Sequence, residues 1–312
     1  MRLPPNAILG GVLVAIVIGA ALLSAVWTPH PYAEITVTNK FAPASAEHWL
    51  GTDQLGRDLL SQLMKAAGNS MRVAVLAVVI GCVIGTVLGL VAAARGGWTE
   101  EVIMRVCDLG FAFPALLFAI MLAAAFGPSL TMVVIAISFI NIPTFARVSR
   151  AAANQVWRRE YVWAARAAGM TSFAISRDHI LPNIAAPVIV QATIEFAVAI
   201  LTEAALSYLG LGAQPPAPSW GRMLAEAQTL MYLAPQLAIW PGLCIFVAVL
   251  GFGLLGDGLR DITDPRLAKA RTWHEKRSDR RRRERRERLR TIQKATRKND
   301  PNRRRRRRTR RY

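Results

Sequence analysis

Charge is what most of this sequence lacks. No Asp, Glu, Lys or Arg occurs between Arg2 and Glu34, between Arg72 and Arg95, between Asp108 and Arg147, or between Glu226 and Asp257. About 20 apolar helical residues cross a bilayer core of roughly 30 Å. Uncharged stretches of this length therefore exclude a soluble globular domain and point to a polytopic membrane protein. Cysteine is scarce too. Cys82, Cys107 and Cys244 lie far apart, in or beside apolar runs, which excludes a disulfide framework and reads as small buried apolar residues. The four histidines, His30, His48, His179 and His274, show no HExxH or other ligand spacing, so no metal site is expected. No Lys follows a Gly, which excludes a GxxxxGK(S/T) phosphate loop. No Ser sits in a GxSxG elbow, because Gly68-Asn69-Ser70-Met71-Arg72 matches only its first half. A chain without cofactor or catalytic chemistry is expected, with any energy from ATP supplied by another subunit.

What the chain does have is unevenly placed. It carries a net charge of +19 over 312 residues, 53% of them hydrophobic. Residues 269–312 hold 23 Lys/Arg and 5 Asp/Glu, whereas residues 1–268 hold 16 and 15. The protein is a near-neutral apolar body with a basic tail, which excludes a uniformly basic nucleic-acid-binding domain. The tail includes six consecutive arginines, Arg303–Arg308, and a run so self-repelling is expected to be disordered. Anionic lipid headgroups are its default partner, at about 1 kcal/mol per basic residue near the surface. RNA is the alternative, with no aromatics interleaved for base stacking except the terminal Tyr312.

Hydropathy predicts six spans, at about 7–27, 72–94, a hairpin within 109–146 broken at Gly127-Pro128-Ser129, 184–210 and 233–255. The first is longer than a signal-peptide core and reads as a retained anchor. Six crossings put both termini on one side. With that side cytoplasmic, the inner segments of the body hold eleven Lys/Arg and the outer ones five, the asymmetry of the positive-inside rule. The expected organisation is an N-terminal anchor and external loop over 1–70, a core of five spans over 71–267 and a basic cytoplasmic tail over 268–312. Within the core, 147–182 is the longest ordered cytoplasmic segment and the natural place for a partner to dock.

Residues 160–183 read EYVWAARAAGMTSFAISRDHILPN. Glu160 to Ala168 favours a helix, Gly169 suits the left-handed residue that ends one, and a second short helix is expected to stop before Pro182. Small Ala164 and Ala165 let another backbone approach, while Arg158, Arg159 and Arg166 can bond acidic or carbonyl groups of a partner. Inside the fifth span, Glu195 and Glu203 lie about 80° apart around a helix. Ionisable groups at this depth face a bundle interior or an aqueous cavity. With Gln191 and Thr202 they could line a translocation path, or they could tie helices together.

AARAAG followed by LP resembles the EAA loop of ABC importer permeases. Other blocks narrow the resemblance to the dipeptide/oligopeptide group: HWLGTDQLGRD at 48–58, GGWTEEVIMRVCDLGFAFPALLFAI at 96–120, LSYLGLGAQPPAPSWGRMLAEA at 206–227 and LLGDGLRDITDPRL at 254–267. The likeness covers about 7–267 and is nearest the C-type component of peptide transporters. It implies a type I ABC importer permease fold in a bacterial inner membrane. It also implies a second homologous permease, two ATPase subunits and an extracytoplasmic substrate-binding protein. The EAA loop would be the coupling helix seated in the ATPase, which carries that role onto Trp163, Ala164, Ala165, Arg166, Gly169, Leu181 and Pro182. Two positions depart from the motif: its glutamate is Trp163 here, and its isoleucine is His179. The substrate implied is a di- or oligopeptide, with nickel, an opine, glutathione or another small solute as the alternative. A membrane anchor that binds RNA through its tail is the reading from a different class.

Overall fold

The computed structural model describes residues 4–263; the expectations for the basic tail lie outside them. Among the described residues the regular structure is helical. The long helices are α1 (Pro5–Val26), α2 (Leu59–Arg95), α5 (Leu130–Trp157), α8 (Leu181–Tyr208) and α10 (Gln236–Thr263), with shorter α3 (Gly97–Ala112), α4 (Ala115–Phe126), α6 (Glu160–Ala167), α7 (Ser172–Ile175) and α9 (Trp220–Ala227) between them. Among the described residues five helices are long and apolar enough to cross a membrane, and six crossings result if the bent pair α3–α4 counts as one.

The order of contacts favours that count. A Cβ on Gly81 would meet Asn141, one on Gly85 would meet Phe145, and one on Gly89 would meet Ser149. Residue numbers rise together on both helices, so α2 and α5 run parallel. Two parallel crossings need a return between them, and α3–α4 is the intervening chain. Helix α4 has 12 residues, about 18 Å at 1.5 Å per residue, and is too short alone. The pair bends by 81° because Pro114 holds Phe113 in an extended conformation, φ −87° and ψ 120°. Thus the third span expected from hydropathy is a broken one, while the break at Gly127–Ser129 stands where expected, with Ser129 capping α5. Arg150 to Glu100 at 2.8 Å and Arg147 to Asp108 at 2.6 Å fasten α3 to α5.

Helix α10 runs antiparallel to α1, since Gly10 meets Leu255 and Gly258 meets Ala7. It also runs antiparallel to α8, where Phe196 stacks on Phe252 at 5.0 Å and Gly256 meets Thr193. The start of α1 and the end of α10 therefore lie at one end of the bundle. The faces left over are apolar and exposed, for example Ile16, Leu22, Val79, Val83, Leu201 and Phe246, as suits contact with lipid or another apolar helix.

Helix α2 begins 13 residues before the expected span and runs through the 70/71 division without a break. Its 37 residues give about 55 Å, more than a bilayer core needs. The early turns carry Ser61, Gln62, Asn69 and Ser70, buried among other parts of the chain. Asn69 donates to the Pro218 carbonyl at 2.8 Å and Trp220 Nε1 to the Leu63 carbonyl at 3.2 Å. Polar residues survive there because protein, not lipid, surrounds them.

Candidate functional site

Two short helices form an elbow between α5 and α8. Helix α6 ends in paired bonds, Gly169 N–H to the Arg166 carbonyl at 3.0 Å and Met170 N–H to the Ala165 carbonyl at 3.1 Å. This is the Schellman pattern, and it needs the left-handed residue that Gly169 supplies with φ +87°. Met170 and Ala165 both pack on the core below, the apolar contact that accompanies the motif. Val162, Ile175 and Ile180 are buried and anchor the elbow.

The outer face is different. Trp163 is 66% exposed and Phe173 76%, with Tyr161, Ala164 and Arg166 also exposed and Ala165 half-buried. Arg166 lies 5.5 Å from the Trp157 ring, which directs the guanidinium by cation–π attraction. Leu181 and Pro182 are exposed at the start of α8. Tyr161 meets His179 edge to face at 6.2 Å, so α6 lies beside the turn that leads to Leu181. The second helix does not stop before Pro182, as the sequence suggested. It continues through one wide turn, Ser176–Ile180, in which Leu181 N–H bonds the Ser176 carbonyl. Proline lacks an N–H, and the wide turn carries the helix past it without an α-type bond at that position.

Within α8, Gln191 Nε2 donates to Glu195 Oε1 at 2.8 Å, and Glu195 is buried. Thr202 is half-buried and turns its hydroxyl back to the Val198 carbonyl at 2.8 Å. Glu203 is fully enclosed within this one chain. Ser70 of α2 donates to its Oε2 at 2.7 Å and Ser207 to its Oε1 at 2.7 Å. That geometry makes Glu203 a tie between α2 and α8. Glu203→Ala, which empties the site and strands both hydroxyls, is expected to destabilise the chain by about 2–4 kcal/mol. Glu203→Gln keeps the volume and partners for both, so it should lose less than half of that in detergent thermal unfolding. Equal losses would deny the tie.

At the opposite end of the bundle from the elbow, the loop between α1 and α2 is latched onto α9. The Asp53 carboxylate accepts from Leu55 and Arg57 N–H at 2.8 and 2.9 Å, from Arg57 Nε at 2.6 Å and from Gln62 at 2.9 Å. Arg57 reaches on to Glu226 at 3.2 Å, and Arg222 holds the same carboxylate at 2.8 Å. The stretch 53–65 is therefore part turn and part helix, joined to the loop after α8. Hydropathy could not reveal this cluster, because its partners lie 169 positions apart.

Residues 85–269 match the family described as binding-protein-dependent transport system inner membrane component. The chain belongs to that family. This permease is 42% identical over 261 residues to the dipeptide transport system permease protein DppC of Alkalihalophilus pseudofirmus, covering 84% of its own length and 86% of the relative's. It is 43% identical over 225 residues to the glutathione transport system permease protein GsiD of Pectobacterium atrosepticum, covering 72% and 74%. Its fold resembles an inward-facing MetNI methionine ABC transporter chain with a TM-score of 0.54 at 17% identity, over 65% of the permease and 97% of that chain. The expected architecture, a helical multi-pass ABC importer permease of the inner membrane, is thereby established.

Proposed function

We propose that this permease pairs with a homologous permease to enclose a path for short peptides, driven by two ATPase subunits seated on the 160–182 elbow. The observation that carries the coupling role is the elbow itself. An exposed helix bearing Trp163, Ala164 and Arg166 stands on a buried Val162–Ile175–Ile180 base, rigidly joined to α5 and α8. A push on Trp163 or Ala164 is thus passed to two crossings at once. Docking rests on shape and aromatic contact, because the position of the motif glutamate carries no charge. Gly169, Leu181 and Pro182 set the elbow's angle.

In this reading the elbow is cytoplasmic, in line with the eleven-to-five Lys/Arg asymmetry, and both termini share its side. The latched plate of 28–58 and 209–235 then faces outward and receives a substrate-binding protein. Gln191, Glu195 and Thr202 face the path, and the basic tail rests on anionic headgroups. Peptide cargo is supported by the relatives' names, dipeptide in one and glutathione in the other. The test is reconstitution with the partner permease, ATPases and binding protein, followed by uptake of a peptide panel, glutathione and nickel. ATP-dependent uptake of peptides is expected. Uptake confined to nickel, or none with ATPases bound, overturns the proposal.

A further inference from the structure

His30, His48 and Asp58 are scattered in the sequence, yet the fold gathers them where the α1–α2 connection meets the start of α2. The two imidazole rings lie 4.7 Å apart between centroids, and His48 Nδ1 is 3.0 Å from Asp58 Oδ1. One ligand-capable atom from each of the three lies within 4.8 Å of the other two. Asp58 is buried, His48 is 9% exposed, and His30 is half-buried.

Two of the three side chains, His30 and Asp58, are also oriented from behind. His30 Nε2 is 2.9 Å from the Glu47 carbonyl. A ring N–H directed there leaves the other nitrogen its lone pair, the arrangement typical of a metal-bound imidazole. Asp58 Oδ2 accepts Ser61 N–H at 2.8 Å and Ser61 O–H at 2.7 Å, so Oδ1 is the oxygen left facing His48. The same Ser61 Oγ accepts the His30 backbone N–H at 3.0 Å. Among the described residues no Lys or Arg pairs with Asp58, so its charge is available to a bound cation. Two imidazoles and a carboxylate suit zinc and its neighbours, whereas magnesium and calcium prefer oxygen ligands.

We propose that His30, His48 and Asp58 bind a divalent transition-metal ion of the zinc class, through one ring nitrogen of each histidine and a carboxylate oxygen, with water completing the shell. The ion takes the place of the proton shared by His48 and Asp58. Zinc bonds of about 2.0–2.2 Å place tetrahedral ligand atoms about 3.4 Å apart, so the His48–Asp58 pair opens slightly while the wider gaps close by about 1 Å, a movement that turning the two rings supplies. Bound there, the ion staples the loop through His30 and His48 to helix α2 through Asp58.

The test uses the full chain, purified in detergent without a polyhistidine tag and stripped with EDTA, then titrated with zinc chloride against a chromophoric chelator. One zinc per chain is expected, with a rise in melting temperature. His30→Ala keeps the backbone bond to Ser61 and should weaken binding at least tenfold and abolish the zinc-induced rise in melting temperature. Absence of saturable binding, or equal binding in His30→Ala, overturns the site. Should His30→Ala lower the metal-free melting temperature, cobalt-loaded wild type decides. A visible spectrum of nitrogen-ligated cobalt supports the site, and one of the hydrated ion overturns it.

Discussion

Gly85→Leu is expected to keep α2 from seating on α5 and to abolish a stably folded permease. A Cβ at Gly85 would lie 2.5 Å from the Ile142 carbonyl oxygen, 2.6 Å from Phe145 Cβ and 3.0 Å from the Ala146 nitrogen. Two of these are backbone atoms of the facing helix, which no rotamer change can move. Gly81 and Gly89 repeat the close approach one turn to each side, at 2.4 and 2.5 Å, so α2 presents a glycine face at every fourth residue. In lipid, helix pairs associate through close packing of small residues because no hydrophobic gain separates helix from lipid tail. Separating this pair sacrifices contact along the whole seam, about 3 kcal/mol or more and at the upper end of overpacking costs. The control is Gly19→Leu. Its Cβ meets nothing within 4 Å, and the change should move detergent thermal stability by no more than about 0.5 kcal/mol. If both variants melt alike, the glycine seam is not what holds α2 to α5.

That seam is written in the sequence as Gly81, Gly85 and Gly89 at four-residue spacing, but hydropathy weighs apolar length and not the spacing of small residues. Features set within one helix or one turn were legible. The extent of α1, the start of α10, the break at Gly127–Ser129 and the left-handed Gly169 all follow from local hydropathy or backbone preference. What escaped depends on contacts from elsewhere. Hydropathy began the second span at residue 72 because Ser61, Gln62 and Lys65 look too wet for lipid, yet Asp58 caps a helix that starts at Leu59 with protein around it. The 81° bend was signalled by Pro114, but its angle depends on how α3 sits against α5. Glu203 could be placed in a span but not assigned a partner, since Ser70 lies 133 positions away. For the same reason His30 and His48 read as isolated histidines.

Gly169→Val is expected to leave insertion and folding intact while cutting uptake per ATP hydrolysed at least tenfold. The reason is conformational, not steric. A Cβ at this position meets nothing within 4 Å, so no clash forces the chain apart. At φ +87°, however, a β-branched residue is strained by about 1–3 kcal/mol, comparable with the bonds from Gly169 and Met170 that end α6. The strain is relieved by opening that Schellman pair, which changes the angle between α6 and α7 and shifts Trp163 and Ala164 relative to α5 and α8. Nothing in the crossings themselves changes, so membrane yield should match wild type, and a local loss of this size should lower the melting temperature by only a few degrees. Asn tolerates the left-handed region better than other non-glycine residues, and Gly169→Asn should recover most of the uptake. Reconstituted vesicles with ATPases and binding protein supply the readout, ATP hydrolysis and substrate uptake on the same sample. Normal uptake per ATP in Gly169→Val would remove the elbow from the coupling path. An equal fall in uptake and hydrolysis would mean that the ATPases no longer dock, placing the effect on binding instead of transmission.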